Sequence, residues 1–455
     1  AKGMSREEII DKHVFVTAGA CGPCRFGMYE AEYRLALRNS GFDNFRVILF
    51  QQTGGLNQSE MEAGLEMNMD FSMAIINAFN MGDMFNGVGY QIRPYEVVPG
   101  KTDEVMQKNL DAMHDVMRDK SRYETTGTSK RILSMLKMDG TANYIGKFCD
   151  QLFGKDYTDG LSTVRDNFNE IEVDRFRVKP VVKITGEFWA QLTEGDGNFN
   201  MFRFLEGENA EVLVEPVGTW IQYIMWQYKA AIRDRKAVGE GEFDVPAWRL
   251  DKKLAIELSY WKKVATMSIA EKLFAREYNR FQYALGGTLH ELVDQYELQR
   301  LGHPHYNTAA GGGEGHLEVA KNIYYTSKNL AHMVLSLKPF GCMPSAQSDG
   351  AQAAVVEQYK DMIFLPIETS GEGEVNAHSR VQMALGGARV KAKEEFKLTL
   401  EKTGKSLDEL KAYVAEHPEL KKPMYKVPHA EGIIGTAATF ALHVSDLIDG
   451  KIGTA

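Results

Sequence analysis

Short apolar runs, each followed by a glycine-rich turn and a helical pattern, recur along the chain. The first run, HVFVTA (13–18), leads through a turn rich in glycine and proline into CRFGMYEAEYRLALRNSG. Apolar residues recur there at helical spacing as far as Gly41. The run FRVILF (45–50) follows. Strand, helix and strand in this order form a βαβ unit, so the pattern predicts a parallel sheet.

A second set of strand-like runs begins near residue 178. These runs are VKPVVKITGEF (178–188), AEVLVEPVG (210–218), VLSLKPFG (334–341) and MIFLPIE (362–368). The apolar spacing predicts helices over 220–301 and from 379 onward. Residues 59–137 are predicted to be mostly helical, with a break at the turn-rich MFNGVGYQIRPYEVVPG (84–100).

The two sets of runs predict an α/β fold with two Rossmann-like domains, each with a parallel sheet. Helical insertions and a helical C-terminal tail complete it. We place the boundary at Asp174, where helical, charged sequence gives way to the second set of strands. Residues 1–174 then form the first domain. Residues 175–455 form the second, with a helical insertion over 220–330.

Composition narrows the class of protein. The chain has 455 residues and a formal net charge of −9, which argues against a nucleic-acid partner. No apolar run approaches the roughly 18–20 residues of a membrane helix, and the N-terminus lacks the apolar core of a secretory signal. We therefore expect a cytoplasmic protein with no membrane partner. Because the chain does not begin with Met, we expect it to be a trimmed or excised piece.

The four cysteines carry the clearest chemical signal. They are Cys21, Cys24, Cys149 and Cys342, too few for a disulfide scaffold. Cys21 and Cys24 directly follow the first predicted strand, and Cys342 directly follows a strand of the second domain. Ligands of open parallel sheets bind beyond the carboxyl ends of the strands. We therefore expect these thiols to meet at one interdomain site, to which Cys149 adds a fourth.

Three kinds of site fit the sequence CGPC. A thioredoxin-like pair also follows a strand and starts a helix, but a thioredoxin domain is far smaller and has different flanking sequence. A structural zinc site requires a second close Cys or His pair, whereas Cys149 and Cys342 are isolated. Iron–sulfur ligation is the interpretation we favour for the four thiols. Cys149 alone, beside Phe148, also fits an inert buried thiol.

Four long motifs carry a family resemblance. They are GACGPCRFGMYEAEYR, KITGEFWAQLTEGDGNFNMFRFLE, SLKPFGCMPSAQSDG and FLPIETSGEGEVNAHSRVQMAL. The sequence resembles iron–sulfur proteins related to 2-hydroxyacyl-CoA dehydratases and benzoyl-CoA reductases. Within them it is most similar to the branch found beside, or fused to, an acyl-CoA dehydratase activase. The resemblance runs from about residue 12 to the C-terminus.

The resemblance implies a cysteine-bound iron–sulfur cluster between tandem Rossmann-like domains. It also implies an ATP-hydrolysing activase as partner, which supplies single low-potential electrons. Relatives use these electrons for the reduction or radical dehydration of a CoA thioester, and one related class reduces small molecules with a double-cubane cluster. Dehydratase subunits bind each cluster through three cysteines, whereas this chain has four. A 4Fe–4S cluster is the cofactor we expect, with the 8Fe–9S double cubane as the alternative.

Residues around the cysteines complete the predicted site. We expect the turns to line the cofactor through Gly22, Arg25, Gly341 and Ser345. The turn after the strand MIFLPIE carries Glu368, Glu374 and His378, which we assign as candidates for proton transfer. The turn after VVKI brings Glu187 and Trp189 to the same side.

The leading hypothesis is therefore an activase-dependent reductase or dehydratase that works as a homo- or hetero-oligomer. Two alternatives remain at this point. A subunit with a fully ligated cluster would only relay electrons to a separate catalytic subunit. A thiol–disulfide oxidoreductase would contain no iron and would cycle the CGPC pair alone.

Overall fold

The chain folds as a mixed α/β protein that is mostly helical and contains parallel strands. The computed structural model describes residues 3–19, 25–51, 55–56, 69–120, 139–236, 248–310, 313–371 and 373–452. The α/β class and the helical C-terminal tail expected from the sequence are confirmed. Within these residues, no helix has the length and the apolar character needed to cross a bilayer.

The first sheet is built around the predicted βαβ unit. Strand β1 (Phe15–Gly19) pairs in parallel with β2 (Val47–Gln51), and helix α2 (Tyr29–Asn39) connects them. A short third strand, β3 (Gly55–Leu56), pairs antiparallel with β2, so the expectation of a purely parallel sheet is wrong here. Three residues separate β2 from β3. A connection this short permits only an antiparallel return, because a parallel strand needs a long crossover.

The second sheet has four strands, all parallel. These are β4 (Val181–Gly186), β5 (Glu211–Leu213), β6 (Met333–Pro339) and β7 (Phe364–Thr369), in the order β5-β4-β6-β7. The chain moves outward from β4 to β5 on one side and from β6 to β7 on the other. The order therefore reverses between β4 and β6, and right-handed crossovers put the connecting helices on opposite faces. Such a switch point opens a crevice at the carboxyl ends of the two strands.

Helices form the rest of the described chain. In chain order they are α1 Arg6–Lys12, α3 Met69–Ile92, α4 Lys101–Asp119, α5 Asp139–Phe153, α6 Asp156–Phe168, α7 Phe188–Leu192, α8 Met201–Gly207, α9 Val217–Asp234, α10 Leu250–Ala284, α11 Gln295–Gly302, α12 Gly315–Ser327, α13 Met343–Gln358, α14 Glu374–Thr403, α15 Leu407–Glu416 and α16 Thr436–Ile448.

The predicted break over 84–100 is wrong for its first half, since α3 continues to Ile92. A Cβ at Gly87 would lie 2.8 Å from the side chain of Leu289, and one at Gly89 would lie 2.8 Å from the sulfur of Met106. These glycines therefore allow close packing and do not end the helix. The helical stretch predicted over 220–301 comprises three helices in the described residues, α9, α10 and α11.

A large apolar core joins residues from both sides of the predicted boundary at Asp174. Met84 and Phe168 from the first part pack with Phe281 and Met424 from the second. The division at this residue stays a prediction.

The two faces of the second sheet differ in polarity. Alternate residues point to opposite faces of a strand. Val182, Ile184, Leu335 and Leu337 pack with α7, α8 and α14 in an apolar core. The intervening residues Lys183, Thr185, Ser336 and Lys338 are polar, and all four are buried. We call these four side chains the polar stripe. Glu215, which follows β5, and Asp349 of α13 are its ion-pair partners, and helices α12 and α13 position the site described below.

Gly186 sets the spacing between β4 and β6 at the switch point. Its φ is +123°, and a Cβ there would overlap the carbonyl group of Leu337 on the neighbouring strand. We predict that Gly186→Ala lowers the free energy of unfolding by about 2 kcal/mol or more, through backbone strain and separation of the strands. Chemical denaturation measures this. Gly207→Ala is the matched control, because its Cβ meets no atom within 4 Å. An equal effect of both changes would contradict the constraint.

Candidate functional site

Cys342 and Glu187 meet at the switch point of the second sheet. Glu187 directly follows β4, and its N–H donates a 2.9 Å hydrogen bond to the Leu337 carbonyl of β6. Cys342 follows β6 after a turn in which Gly341 has a φ of +70°, and it forms the N-cap of α13. The expectation that Cys342 and Glu187 follow strands of one parallel sheet is confirmed.

The Cys342 thiol is buried, with 7% of the residue exposed. Burial raises the pKa of the thiol, and the nearby carboxyl groups of Glu318 and Glu187 raise it further. The hydroxyl and backbone N–H of Ser345 oppose this shift, because they stabilise negative charge on the sulfur. The first turn of α13 acts in the same direction. The free thiol therefore holds its proton, and the site offers donors to a thiolate.

Three carboxyl groups surround this thiol on the sheet side and on α12. Glu318 accepts hydrogen bonds of 2.7 Å from the hydroxyl groups of both Ser345 and Ser348, and burial raises its pKa. Glu314 precedes α12. Its burial, followed by the proximity of Glu187 and Glu318, raises its pKa to about 8. Near neutral pH Glu314 therefore retains its proton.

Glu187 is the member of this cluster with an unused oxygen. Its Oε2 accepts a 3.0 Å hydrogen bond from the backbone N–H of Ala190, which caps α7. Burial raises its pKa to about 7, although the backbone N–H groups of α7 stabilise the ionised form and oppose this shift. Oε1 is buried and accepts no hydrogen bond from the described residues. Protonation of the carboxyl group at Oε1 therefore avoids a buried negative charge on an oxygen that no described donor reaches.

Ion pairs neutralise the lysines of the polar stripe. Lys338 pairs with Asp349 of α13. Lys183 lies 2.8 Å from Glu215, which also receives hydrogen bonds from Thr219 and Tyr325. Burial lowers the pKa of Lys183 to about 8, although Glu215 opposes the shift. Removing one partner of such a buried pair costs about 3–5 kcal/mol, so these pairs constrain how α12 and α13 sit on the sheet.

The helix that follows CGPC packs against this edge of the second sheet. Cys21, Cys24 and Gly22 lie outside the described residues, but the flanking elements β1 and α2 are described. Tyr29 of α2 packs in a small apolar cluster with Phe188, the residue after Glu187. Burial and then the charge of Glu187 raise the pKa of Tyr33, one turn further along α2. The start of α2 thus lies beside the turn that carries Glu187.

The other predicted cofactor residues have different surroundings. Ser345 is fully buried against Glu318 and beside Cys342. Arg25 begins a short 3-10 turn that leads into α2. Cys149 lies on α5, and its side chain is exposed. Its role as a fourth ligand stays a prediction.

The predicted proton-transfer residues lie along β7 and α14. Glu368 is exposed on β7. Glu374 begins α14 and lines an open depression of about 710 Å³. His378 stacks on the ring of Phe204, and its Nε2 lies 3.0 Å from the Phe199 carbonyl oxygen. The groups that act most strongly on the Cys342 thiol are instead Ser345, Glu318 and Glu187.

Glu314 and Glu318 are site residues that the sequence interpretation missed. Both lie in GGGEGHLEVA (311–320), where we assigned no site residue from the sequence. Their spacing of four puts two carboxyl groups on one side of a helical turn. An acidic pair on the apolar start of a helix was the available signal, since a buried carboxyl group needs donors nearby.

Metal ligands do not cluster within the described part of the chain. No group of three or more His, Cys, Asp and Glu side chains there has an arrangement suited to a metal ion. The CGPC turn contributes nothing to that comparison, because it lies outside these residues.

Comparison with known proteins gives no match. No protein-family model, no curated protein and no solved structure is similar to the chain.

The raised pKa of Glu187 predicts a pH-dependent stability. The folded protein binds the proton of the Glu187 carboxyl group more tightly than the unfolded chain does, in which the pKa of this group is near 4.5. The free energy of unfolding therefore falls as the pH rises from 4.5 towards 7, and the loss persists above 7. Glu187→Gln keeps an oxygen for the Ala190 N–H and removes the charge. We expect its advantage over the unsubstituted protein to grow across this range by on the order of 2 kcal/mol.

Denaturant titrations at several pH values measure this difference. Glu368→Gln is the matched control, because water hydrates the exposed carboxylate in both states. A constant difference between Glu187→Gln and the unsubstituted protein from pH 4.5 to 8 would contradict a buried, protonated Glu187.

Proposed function

We propose that the chain is an iron–sulfur protein that accepts low-potential electrons from an ATP-hydrolysing activase. It would use them to reduce or dehydrate a substrate such as a CoA thioester. The proposal rests on the motif resemblance, together with one structural observation. Cys342 lies buried at the switch point of the second sheet, and the helix that follows CGPC packs against the same edge.

This arrangement supports the proposal because the helix that follows CGPC packs beside the crevice in which Cys342 lies. The described part of α2 contacts the turn after β4, and Cys342 follows the neighbouring strand β6. We infer that residues 1–174 and 175–455 are two Rossmann-like domains that face each other here. The four parallel strands and their crossover helices support the second of these domains.

The chemistry of the described donors fits a cysteine-bound cluster. Cys21, Cys24 and Cys342 would hold it, with Cys149 as the fourth ligand. Coordination removes the thiol proton of a cysteine, so the raised pKa of Cys342 makes cluster binding pH-dependent and coupled to proton release. The Ser345 N–H and hydroxyl beside the sulfur are the donors that a bound thiolate needs. When bound, a 4Fe–4S or 8Fe–9S cluster would accept and pass on single electrons.

The carboxyl groups would serve the same chemistry as proton holders. Reduction takes up protons at the reacting centre, and dehydration gives one proton to the departing hydroxide while the substrate loses another. Burial raises the pKa of Glu187 to about 7 and that of Glu314 to about 8, so at neutral pH Glu314 is mostly protonated and Glu187 can both give and take a proton. Protonated groups also avoid placing negative charge beside an anionic cluster. Glu187 Oε1, which lacks a hydrogen-bond partner among the described residues, is the atom we assign to hold a transferable proton.

Anaerobic purification with iron and sulfide analysis tests the proposal. We expect the unsubstituted protein to bind iron and sulfide and to give an EPR signal when reduced. Cys342→Ser should lose most of the iron while it keeps its circular dichroism spectrum. Ser370→Ala, an exposed change beyond the end of β7, is the control and should keep the iron. A protein without iron after anaerobic reconstitution, or full iron in Cys342→Ser, would overturn the proposal.

Cys149→Ser tests the fourth ligand. With three cysteines left to hold the cluster, we expect most of the iron to remain and the EPR spectrum to change. Unchanged iron content together with an unchanged spectrum would remove Cys149 from the ligand set. That outcome would leave a three-cysteine site with one open iron, which favours catalysis over electron relay.

A further inference from the structure

The N-terminal half of α10 carries an apolar surface that no described residue covers. Five large side chains on it are mostly exposed: Leu250 72%, Leu254 70%, Leu258 69%, Trp261 55% and Ile269 59%. Ala265 is exposed as well. We call these six side chains the α10 stripe. With about 100° of rotation per residue, all six fall within an arc of about 100° on the helix.

The C-terminal part of α10 packs against the protein itself, since Phe274, Tyr278 and Phe281 are buried. Helix α9 packs beside the stripe, where Lys229 of α9 pairs with Glu271. Lys236, just beyond α9, lies 2.9 Å from Glu257. A contiguous exposed apolar surface that is bordered by charged residues is typical of an interaction site.

A hydrogen bond within the chain holds the ring of Trp261 in place on this surface. Its indole N–H donates a 2.8 Å hydrogen bond to Glu257, which Lys236 also contacts. The polar atom of the ring is thus satisfied within the chain, and the apolar ring remains exposed. A large aromatic group held in this way is a common anchor of protein interfaces.

We propose that the α10 stripe is the interface with a second copy of this chain, in which the two α10 helices pack antiparallel. The spacing of the stripe supports a copy of itself as the partner. Successive members are separated by 4, 4, 3, 4 and 4 residues, which reads the same in both directions. A two-fold axis between Ser259 and Tyr260 brings every member level with another member of the stripe.

The pairs in this arrangement are complementary in size. Leu250 lies level with Ile269 of the second copy, and Leu258 lies level with Trp261 of the second copy. Leu254 lies level with the small Ala265 of the second copy, so a large side chain faces a small one. The surface spans 20 residues, which is about 30 Å of helix.

The charges at the ends of the stripe favour the antiparallel direction. Asp251, which Arg249 of the same chain contacts at 2.7 Å, is exposed near its start, and Lys272 is exposed just beyond its end. The antiparallel axis brings Asp251 within about four residues, or about 6 Å along the helix, of Lys272 of the second copy. A parallel pair would instead put each of these charges beside its own like charge. In the antiparallel pair the two helix dipoles also point in opposite directions, which is the favourable arrangement.

Sedimentation velocity at concentrations between about 1 and 50 µM tests this interface. We expect the full chain to form a dimer, and the double change Leu254→Lys with Leu258→Lys to shift it to monomer while its circular dichroism spectrum stays unchanged. Val390→Lys with Leu398→Lys is the matched control, since both residues are exposed on α14. This pair should remain dimeric.

Disulfide trapping tests the direction. An equal mixture of the Leu250→Cys and Ile269→Cys proteins should form a cross-linked heterodimer under mild oxidation, well above the level of the unsubstituted protein. Leu250→Cys alone should not cross-link to itself, as a parallel pair would.

Three results would overturn the proposed interface. The first is a monomeric unsubstituted protein. The second is a dimer that survives Leu254→Lys with Leu258→Lys, which would locate the contact on another surface. The third is a loss of the helical circular dichroism signal of that variant, which would mean that residues of the same chain cover the stripe. None of these outcomes depends on iron content, so the interface and the proposed function fail separately.

Discussion

The buried polar layer between the second sheet and helices α12 and α13 is the constraint on which the candidate site depends. Lysines on adjacent parallel strands, Lys183 and Lys338, are nearly inaccessible to water. Each therefore needs a carboxylate partner, which the chain supplies through Glu215 and Asp349. Because Asp349 belongs to α13, its ion pair also fixes the helix whose N-cap is Cys342.

The same layer explains why acids of the site keep their protons. The ammonium groups of Lys183 and Lys321 both lie beside the carboxylate of Glu215. Burial alone would raise the pKa of Glu215, but these two ammonium groups outweigh it and lower the pKa to about 2. Glu187 and Glu314 lie nearer the crevice and have mainly backbone N–H groups and other acids as neighbours. Burial therefore dominates, and the pKa of each is raised. One layer thus holds ionised and neutral carboxyl groups side by side.

The sequence predicted the elements well where the pattern was local. The βαβ unit, the strands at β4, β6 and β7, and the location of Cys342 directly after a strand all follow from apolar runs and glycine-rich turns. The antiparallel β3 was missed, because two residues carry no periodicity. The continuation of α3 through Gly87 was missed too, since only the packing against Leu289 shows why a glycine is there.

The site was harder to predict than the fold. Alternation such as VVKITG usually means that one face of a strand meets water, and nothing in it shows that Lys183 is buried. The partner Glu215 lies 32 residues further along the chain, so the pair is visible only in the folded protein. Glu314 and Glu318 were hidden in the same way, because their role depends on the approach of α13 to α12.

Anomalous X-ray diffraction at the iron edge, from anaerobically grown crystals, tests the central claim most directly. The account predicts an iron peak at the switch point of the second sheet, bonded to the sulfur of Cys342 and to those of Cys21 and Cys24. An iron site bonded elsewhere in the chain, or a free Cys342 thiol beside an iron-bound CGPC turn, would contradict it.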